Sequence, residues 1–378
     1  MRILMTIHHP LEKSSGASGS MLQLAQEYRA LGHQVETFSF DDLPARWPEI
    51  LKMLLFPGAV ALHLQRRMRR ENFDVIDAHT GDSWVWSRLR RFSRRARRVL
   101  LITRSSGLEH AAHLERIEDN RSGKLRLSRH YFLYHGGFRL WEVAQSLRLS
   151  DGCIFLNAAD RNYGCQALGV DFAKTLISGN GIPAAFAALP LATLDADPPR
   201  VAVVGTYSER KGIAYSVPAL EELLEKHPAL EVGFFGVMVA PERVLGDFSP
   251  AVRARIHVVE TYSHDDLPAL LQPYKFQLLA SISEGFGKVL LEGMARGLAC
   301  VSSDAPGPLE IARDGENALV VPRRDSAAIV AAMERLLGDD SLCQQLRRAA
   351  QETAQQHFWA SIARARLEFY ARIGSSRP

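Results

Sequence analysis

The 378-residue chain has few cysteines and no long apolar run. Its four cysteines are scattered without paired spacing, which argues against both a disulfide framework and a zinc site and fits a reducing cytoplasm. No apolar run approaches the roughly 18 to 20 residues needed to span a bilayer. We therefore expect a cytoplasmic protein whose cysteines are core thiols.

Motifs for metal ions and for nucleoside triphosphates are missing as well. No Asp-x-Asp pair stands where a metal would be needed, and the loop Gly205–Gly212 lacks the Gly-x4-Gly-Lys-Ser/Thr order of nucleotide hydrolases. We expect neither a bound metal nor a cofactor.

Positive charge is concentrated in the first half of the chain. Residues 1–180 hold 26 Lys and Arg against 18 Asp and Glu, a net charge of +8, whereas the whole chain is +4. The excess lies in two runs, Arg66–Arg70 and Arg88–Arg98. Such runs indicate an anionic partner, either membrane headgroups or a phosphorylated substrate, and the alternative is a solvated helix face. Nucleic acid is not expected, because no recognition-helix or aromatic-interleaved pattern accompanies the arginines.

Strand and helix patterns alternate along the whole chain, as in doubly wound α/β domains. We predict an N-terminal Rossmann-like domain over 1–183, a linker rich in Ala, Leu and Pro over 184–200, and a second Rossmann-like domain over 201–356. A helix over 357–378 is expected to cover the first domain, and 326–356 is expected to form one long amphipathic helix. The predicted strands are 2–7, 35–40, 74–79, 99–103, 151–156, 174–178, 201–204, 231–235, 256–260, 276–280, 299–302 and 318–321.

Several polar residues of the first half follow predicted strands. A loop over 14–20, with Gly16 and Ser18, precedes a predicted helix over 21–31; its glycines would let a ligand approach or would only form a tight turn. His79 and the Ser105-Ser106 turn lie at carboxyl ends of strands, where ligands bind in open α/β sheets. We predict His79 as a catalytic residue, with a structural role as the alternative. Ser18, Ser105 and Ser106 are predicted to contact a ligand at these positions.

A second group of candidate residues lies around Glu284. The sequence predicts a strand over 276–280, a Gly-rich turn, and a helix that begins near Gly287. Backbone N–H groups and the helix dipole at such a start suit an anion. Glu292 follows Glu284 by eight residues, which at about 100° per residue returns to within about 80° of the starting direction. The two carboxylates could therefore address neighbouring parts of one ligand.

Lys211 is the third element of this predicted site. It lies just after a strand and at the start of a helix, where a lysine can donate three hydrogen bonds to a diphosphate. A solvated helix start is the alternative. Together with the helix near Gly287, Lys211 favours a nucleoside diphosphate as ligand.

These motifs resemble glycosyltransferase family 4, whose members are retaining, nucleotide-sugar-dependent enzymes with the GT-B fold. The resemblance rests on Glu284-Gly-Phe-Gly-x4-Glu292-Gly-Met-Ala-x-Gly297, on Val204-Gly205-x5-Lys211-Gly212, and on Gly315-Glu-Asn-Ala-Leu-Val-Val-Pro322. It implies two Rossmann-like domains that face each other across a cleft, with a C-terminal helix that crosses back to the first domain. It assigns Glu284 to the donor sugar and Lys211 to the diphosphate, both as catalytic residues, and Glu292 to the ribose. Ser18, Ser105 and Ser106 would lie on the acceptor side. The implied donor-binding residues are Gly16, Gly205, Thr206, Arg210, Lys211, Glu284, Gly285, Phe286, Gly287, Lys288 and Glu292.

Two positions depart from the family's pattern. Members usually carry arginine at the position of Thr206, for which Arg210 could substitute, and often a histidine where Ser105 and Ser106 stand. The resemblance implies transfer of a sugar from a nucleotide-diphosphate sugar to a carbohydrate or lipid-linked acceptor, with retention and without metal. The arginine runs add a peripheral site at the inner face of a membrane. Alternatives are a catalytically weak binding or scaffold subunit and a nucleotide-sugar epimerase or hydrolase of GT-B form.

Overall fold

The chain forms two compact units in a computed structural model that describes residues 1–12, 16–123, 126–183, 186 and 198–377. One unit comprises residues 1–180 together with 359–378, and the other comprises residues 181–358. Apart from 186 and 198–200, the predicted linker 184–200 lies outside the described residues. The two ends of the chain belong to the same unit.

The first unit is built on a six-stranded parallel sheet. Its strand order is β2-β1-β3-β4-β5-β6, and every neighbouring pair is parallel. Along the first strand, Ile3 and Met5 pack into the core on one face and Leu4 into the core on the other. This alternation buries both faces of the sheet beneath helices. The strands are β1 (Arg2–Thr6), β2 (Gln34–Phe38), β3 (Val75–His79), β4 (Leu100–Arg104), β5 (Gly152–Phe155) and β6 (Thr175–Ile177).

The helices of the first unit include a polar, aromatic-rich group between β4 and β5. A π-helix, Tyr134–Phe138, interrupts this group and leads directly into the helix Arg139–Arg148. The α-helices are Gly16–Ala30, Glu49–Arg67, Trp84–Leu89, Arg94–Arg98, Glu109–Arg121, Arg129–Leu133, Arg139–Arg148, Ala158–Gln166 and Trp359–Ser375, and the 3-10 helices are Phe40–Asp42, Arg90–Phe92 and Phe172–Lys174.

The C-terminal helix Trp359–Ser375 packs on the sheet of the first unit. Its Tyr370 hydroxyl donates to Asp77 Oδ2 at 2.7 Å and lies 2.9 Å from the Tyr28 hydroxyl. Asp77 also accepts from Arg104 Nη1 at 2.8 Å. These buried polar groups satisfy one another, so the helix is held by hydrogen bonds as well as by apolar contacts.

The second unit repeats the architecture with a different strand order. Its six parallel strands run β12-β11-β10-β7-β8-β9, so the order reverses between β7 and β10. In open α/β sheets, such a reversal opens a crevice at the carboxyl ends of the strands. The strands are β7 (Arg200–Val204), β8 (Glu231–Phe235), β9 (Ile256–Val259), β10 (Phe276–Leu279), β11 (Ala299–Ser303) and β12 (Leu319–Val321). All twelve predicted strands are present, with ends that differ by at most two residues.

The long helix predicted over 326–356 is wrong, because the structure has two helices there. The first ends at Gly338, and Asp339 adopts an extended conformation and caps the second by accepting from the Leu342 N–H. An aspartate favours such a cap over a helix interior. The helices of this unit are Ile213–Lys226, Pro241–Leu245, Leu267–Leu270, Lys288–Ala295, Ser326–Gly338 and Asp340–Gln355, with 3-10 helices Glu209–Lys211, Arg253–Arg255, His264–Asp266 and Pro308–Glu310.

The predicted loop over 14–20 is also shorter than expected. The first helix begins at Gly16 rather than at residue 21, while residues 13–15 lie outside the described residues. Ser18 and Gly19 are buried within the helix, so small residues here allow close packing rather than a loop. None of the helices that the structure describes is both long and apolar enough to cross a bilayer.

Candidate functional site

The loop after β7 places Lys211 at the reversal of strand order in the second unit. Gly205 and Gly212 both have positive φ, 128° and 76°, and bound a short 3-10 turn. A Cβ on Gly212 would collide with the carbonyl oxygen of Ala280, at the end of β10. The loop is further tied to the turn after β10 by the Ile282 N–H, which donates to the Arg210 carbonyl at 2.9 Å. Glycine is therefore required where the two segments meet.

Glu284 lies in the turn after β10 and forms an ion pair with Lys211. Lys211 Nζ donates to Glu284 Oε2 at 2.6 Å, and the two side chains are only 14% and 16% exposed. Ser281 Oγ donates to the same oxygen at 3.3 Å, and Arg210 Nη1 lies 3.8 Å from it. Burial raises the pKa of Glu284, but Lys211 and Arg210 outweigh burial and hold the pKa below its usual value. The carboxylate is thus ionised at neutral pH.

The helix that was predicted to begin near Gly287 is Lys288–Ala295. Gly287 is its N-cap, with φ of 86°, and no side chain caps it. No acidic residue lies in its first turn, and no side-chain oxygen neutralises the positive end of its dipole. An anion could therefore bind at this end.

Glu292 lies on the helix Lys288–Ala295 and contacts other residues than Glu284 does. Its side chain is almost fully buried, and its Oε1 lies 3.4 Å from His264 Nε2 and 3.5 Å from Lys288 Nζ. These two groups lie close enough for ion pairs, but Oε1 accepts no hydrogen bond from the described residues. A buried carboxylate oxygen without a donor is costly unless a ligand supplies one. In the described chain, the predicted donor residues thus form two groups, one around Glu284 and one around Glu292.

Gly307 supports the Glu284 turn and was missed by sequence reasoning. Its N–H donates to the Glu284 carbonyl at 3.2 Å. A Cβ here would lie 2.5 Å from the Gly285 carbonyl carbon and from the Phe286 nitrogen, and closer still to the Glu284 carbonyl oxygen. The signal in the sequence was Pro-Gly-Pro at 306–308, just after β11, where a glycine is enclosed by two rigid residues.

His79 belongs to a polar cluster at the carboxyl edge of the first sheet. His79 is the last residue of β3, and His8 follows the neighbouring strand β1. The centres of the two rings are 4.7 Å apart. His8 Nδ1 is 2.7 Å from Asp82 Oδ1, and Arg139 Nη2 is 2.9 Å from His8 Nε2. Neither His8, Asp82 nor Arg139 was predicted. His8 and Arg139 are far from His79 in sequence, and Asp82, three residues after His79, meets His8 only because β1 and β3 are neighbours.

Burial sets the charge of these groups. Burial lowers the pKa of His79 well below 6.5, and His8, Arg104 and Arg139 lower it further. Burial likewise raises the pKa of Asp82 to about 7. His79 is therefore neutral near pH 7, and its Nε2 has no hydrogen-bond partner among the described residues; neither has Oε2 of Glu109. Both atoms can accept a hydrogen bond from a ligand hydroxyl.

His8, His79 and Glu109 are also the one group in the described chain that could bind a metal ion. Their ligand atoms all lie within 4.8 Å of one another. The Arg139 guanidinium, however, lies 2.9 Å from His8 Nε2 and 3.3 Å from Glu109 Oε1. Because this cation already stands among the ligand atoms, the group does not suit a second one.

The predicted acceptor-side residues come together only in part. Ser105 and Ser106 line a small pocket with Ala17 and Ser20 of the first helix. Ser18 does not line it, because its hydroxyl donates to the Glu12 carbonyl at 3.0 Å. Gly16, predicted for the donor, is the exposed first residue of the same helix. In the second unit, Thr206 is exposed, with its hydroxyl 3.3 Å from that of Ser208.

The pKa of His79 leads to a test by pH. Unfolded His79 takes up a proton as pH falls through its ordinary pKa of 6.5, whereas the folded residue stays neutral, so its stabilising effect is lost as pH falls. His79→Gln removes this effect. Between pH 6.5 and 5.5, the free energy of unfolding of this variant should fall by about 1 kcal/mol less than that of the wild-type protein. All five tryptophans lie in the first unit, so tryptophan fluorescence in urea reports its unfolding at both pH values.

Asp82 acts with the opposite sign, because its raised pKa stabilises the folded state as pH falls through about 7. Asp82 is present in both the His79→Gln variant and the wild-type protein, so the difference between the two reports on His79. Exposed His130 is the matched control, and His130→Gln should leave the pH dependence unchanged. Equal losses of stability in the unchanged protein and in His79→Gln would mean that folded His79 takes up the proton too.

Known proteins resemble the chain along almost its entire length. Residues 14–186 match the family described as Glycosyltransferase Family 4, and residues 192–353 match Glycosyl transferases group 1. The glycogen synthase of Mycobacterium tuberculosis is 28% identical over 239 residues, which cover 61% of this chain and 57% of that protein. The phosphatidyl-myo-inositol mannosyltransferase of Mycobacterium leprae is 24% identical over 398 residues, which cover 100% of this chain and 98% of that protein.

Solved structures agree with the sequence families. HepE from Anabaena in complex with UDP is 16% identical and has a TM-score of 0.72, with 98% of this chain and 100% of that chain covered. At this identity the likeness shows the fold alone. Two parallel six-stranded sheets with helices on both faces are the α/β units of the GT-B fold. With both family matches falling on these units, the chain belongs to glycosyltransferase family 4, the group 1 glycosyltransferases.

Proposed function

We propose that the protein transfers a sugar from a nucleotide-diphosphate sugar to a carbohydrate or lipid-linked acceptor. The ion pair of Lys211 and Glu284 is the observation that carries this proposal, because it places a cation and an ionised carboxylate at the reversal of strand order. A lysine beside the departing diphosphate stabilises the growing negative charge, and a carboxylate accepts hydrogen bonds from sugar hydroxyls. The UDP bound to HepE supports a nucleotide donor.

Each donor residue has a role in this proposal. Lys211 and the start of the helix Lys288–Ala295 bind the diphosphate, and Glu284 binds hydroxyls of the donor sugar. Glu292 binds the ribose, whose hydroxyl donates to Oε1, an atom that accepts no hydrogen bond from the described residues. Arg210, 3.8 Å from Glu284 Oε2, supplies the positive charge that Thr206 lacks. Fixed donors of this kind need no reorganisation as charge develops.

Retention of configuration and independence from metal ions are further parts of the proposal. The second unit offers Lys211 and Arg210 next to one carboxylate, so cationic side chains take the place that a divalent ion would have beside a diphosphate. The acceptor hydroxyl passes its proton to the departing phosphate, and no protein base is then needed. Family resemblance supports retention.

The acceptor is assigned to the carboxyl edge of the first sheet. His79 Nε2 and Glu109 Oε2 are buried acceptors without partners, so they suit hydroxyl donors of a sugar or a polyol. Ser105 and Ser106 line a pocket at the end of the adjacent strand β4. We further propose a cytoplasmic protein that associates with the inner face of a membrane through its arginine runs.

Release of nucleoside diphosphate tests the proposal directly. Purified protein is expected to release nucleoside diphosphate from at least one of a panel of UDP and GDP sugars, and Glu284→Ala is expected to abolish release. Excess EDTA should change the rate by less than about twofold, because no metal takes part in the proposed reaction. Absence of turnover with every donor, together with no thermal stabilisation by UDP or GDP, would leave a binding or scaffold subunit as the better reading. Release that EDTA abolishes would overturn the metal-independent mechanism alone.

A further inference from the structure

Residues 89–98 form an exposed segment at the amino end of β4, here named the arginine ridge. It comprises the end of the helix Trp84–Leu89, the 3-10 turn Arg90–Phe92 and the helix Arg94–Arg98. Ser93 caps this last helix, accepting from the Ala96 N–H at 3.3 Å, and Ala96 is buried in the core. Ala96 and Arg90, whose side chain is only 11% exposed, therefore anchor the ridge, and its other long side chains lie at the surface.

The charge of the ridge is largely uncompensated. It holds six arginines and no acidic residue. Arg90 pairs with Asp151 at 2.8 Å, and Arg95 donates to the Asn72 amide oxygen at 2.8 Å. The others have no acidic partner in the part of the chain that the structure describes; they are Arg91, Arg94, Arg97 and Arg98. Four exposed like charges in eight residues repel one another, and an anionic partner relieves this repulsion.

An apolar side chain projects from the middle of these arginines. Phe92 is 78% exposed, more than any other large hydrophobic residue described, and Leu89 is 50% exposed. The Arg91 guanidinium lies 4.8 Å from the centre of the Phe92 ring. An aromatic ring flanked by guanidinium groups is the arrangement of side chains that enter the boundary between headgroups and acyl chains.

Grooves flank the ridge on both sides. One is lined mainly by cations, with a single carboxylate among them that pairs with Arg90; its charged residues are Arg90, Arg91, Arg94, Arg97, Arg98, Asp151, Lys174 and Arg377. The other is lined by Phe92, Leu89, Arg95, Met68 and Arg69. The second groove extends to Ala61 and Gln65 of the helix Glu49–Arg67. Cations and apolar side chains thus lie together along this groove.

The ridge lies at the opposite edge of the sheet from the acceptor residues. It immediately precedes β4, whereas His79 and Ser105 lie at the carboxyl ends of β3 and β4. A flat partner on the ridge would therefore leave the carboxyl edge of the first unit uncovered. Binding at the ridge does not compete with the proposed acceptor site.

We propose that the arginine ridge docks on an anionic lipid bilayer, with Phe92 inserted at the headgroup level and the flanking arginines on lipid phosphates. This inference rests on the proposed function, which supplies the reason for the protein to bind a membrane. The ridge itself takes no part in catalysis. A bilayer accounts for both the apolar tip and the cations, whereas a nucleic acid backbone accounts for the cations alone.

Vesicle sedimentation of the full chain tests the ridge. The protein is expected to bind phosphatidylcholine vesicles that contain about 30% phosphatidylglycerol, to bind pure phosphatidylcholine far more weakly, and to dissociate in about 0.5 M salt. Arg94→Ala with Arg97→Ala should weaken binding about 25-fold, since each cation near the surface contributes about fivefold. Phe92→Ser, which leaves the charge unchanged, should weaken it about tenfold.

Matched controls separate local contacts from net charge. Arg335→Ala with Arg348→Ala removes the same charge from exposed positions of the second unit and should change vesicle binding by less than about twofold. Thermal stabilisation by UDP should be equal in all these variants, so a failure at the ridge is distinguishable from a failure of the proposed function. Equal losses in the ridge and control variants, or no binding to anionic vesicles at low salt, would overturn the proposal. Binding of a DNA duplex in place of vesicles, lost in the ridge variants, would overturn it in favour of nucleic acid.

Discussion

Replacing Lys211 with alanine is expected to lower kcat/KM for nucleoside diphosphate release by about 10²- to 10³-fold. Lys211 Nζ is the cation closest to the Glu284 carboxylate, at 2.6 Å, and only 14% of the lysine side chain is exposed. A fixed charge in so enclosed a position stabilises the departing diphosphate more than a solvated one does. The loss should appear in kcat, because the charge on the diphosphate grows in the transition state.

The same substitution should also change the pH dependence of the reaction. Burial raises the pKa of Glu284 and Lys211 is the main group that lowers it again. Without Lys211 the pKa of Glu284 rises, so the acidic limb of the kcat/KM profile should move to higher pH. Lys211→Arg keeps the charge but not the compact ammonium group. The acidic limb of its kcat/KM profile is expected to lie between those of the wild-type protein and Lys211→Ala. Stability should fall by about 1–3 kcal/mol, because Glu284 loses its strongest partner.

Lys226, the last residue of the helix that follows Lys211, serves as the control. Lys226 is 50% exposed and pairs with Glu222 at 2.7 Å on the surface. Lys226→Ala should change kcat/KM by less than about twofold, because exposed ion pairs contribute little. The opposite outcome is a Lys211→Ala variant whose turnover is within tenfold of the wild-type value and whose pH profile is not shifted. That result would show that Lys211 is only a structural partner of Glu284.

The strands and the Lys211–Glu284 segments were accessible from sequence because their signals are local. Short apolar runs followed by glycine-rich turns mark β7 and β10, and parallel topology then brings the carboxyl ends of neighbouring strands together. The same reasoning failed for the helix predicted over 326–356. Its apolar periodicity continues across Gly338, and only the cap of Asp339 on the Leu342 N–H ends one helix and begins the next.

Residues joined only by topology were not accessible from sequence. His8 and Arg139 lie on segments far from His79 in sequence, and nothing in their neighbours marks them as its partners. Asp82 follows His79 by three residues, but its contact with His8 depends on the pairing of β1 with β3. Arg139 follows a π-helix, an irregularity that no apolar periodicity predicts. The contact of Arg210 with Glu284 depends on a side-chain direction, which a sequence does not give.

Gly307 is the residue through which one loop fixes the position of another, and Gly307→Ala is expected to lower kcat/KM about 10²-fold. Gly307 has φ of −67° and ψ of −52°, which alanine adopts without strain. The effect must therefore come from contact. An added Cβ would meet only backbone atoms of residues 284–286, and these cannot rotate away as a side chain can. The Glu284 turn has to shift, and a displacement near 1 Å costs about 10²-fold in rate.

Stability and activity should separate in this variant. Alanine at a compatible φ and ψ stabilises a protein by about 0.4–1 kcal/mol through the unfolded state, which offsets part of the cost of the collision. The thermal midpoint should then fall less than the activity suggests. The control is Gly338→Ala, because a Cβ on Gly338 meets no atom within 4 Å and its φ is not positive; its activity should be unchanged.

The direction of the shift can also be tested. Pro308, the next residue, lies against Gly287, where a Cβ would be 3.2 Å from Pro308 Cγ. Residues 307–308 therefore contact both ends of the 284–287 turn, and a push at Glu284 is transmitted to the start of the helix Lys288–Ala295. Gly307→Ala should weaken UDP binding as well as turnover, measured by the thermal shift with UDP. Full activity and unchanged UDP binding would mean that the 306–308 loop yields instead of the turn, and that Glu284 is positioned by its pair with Lys211 alone.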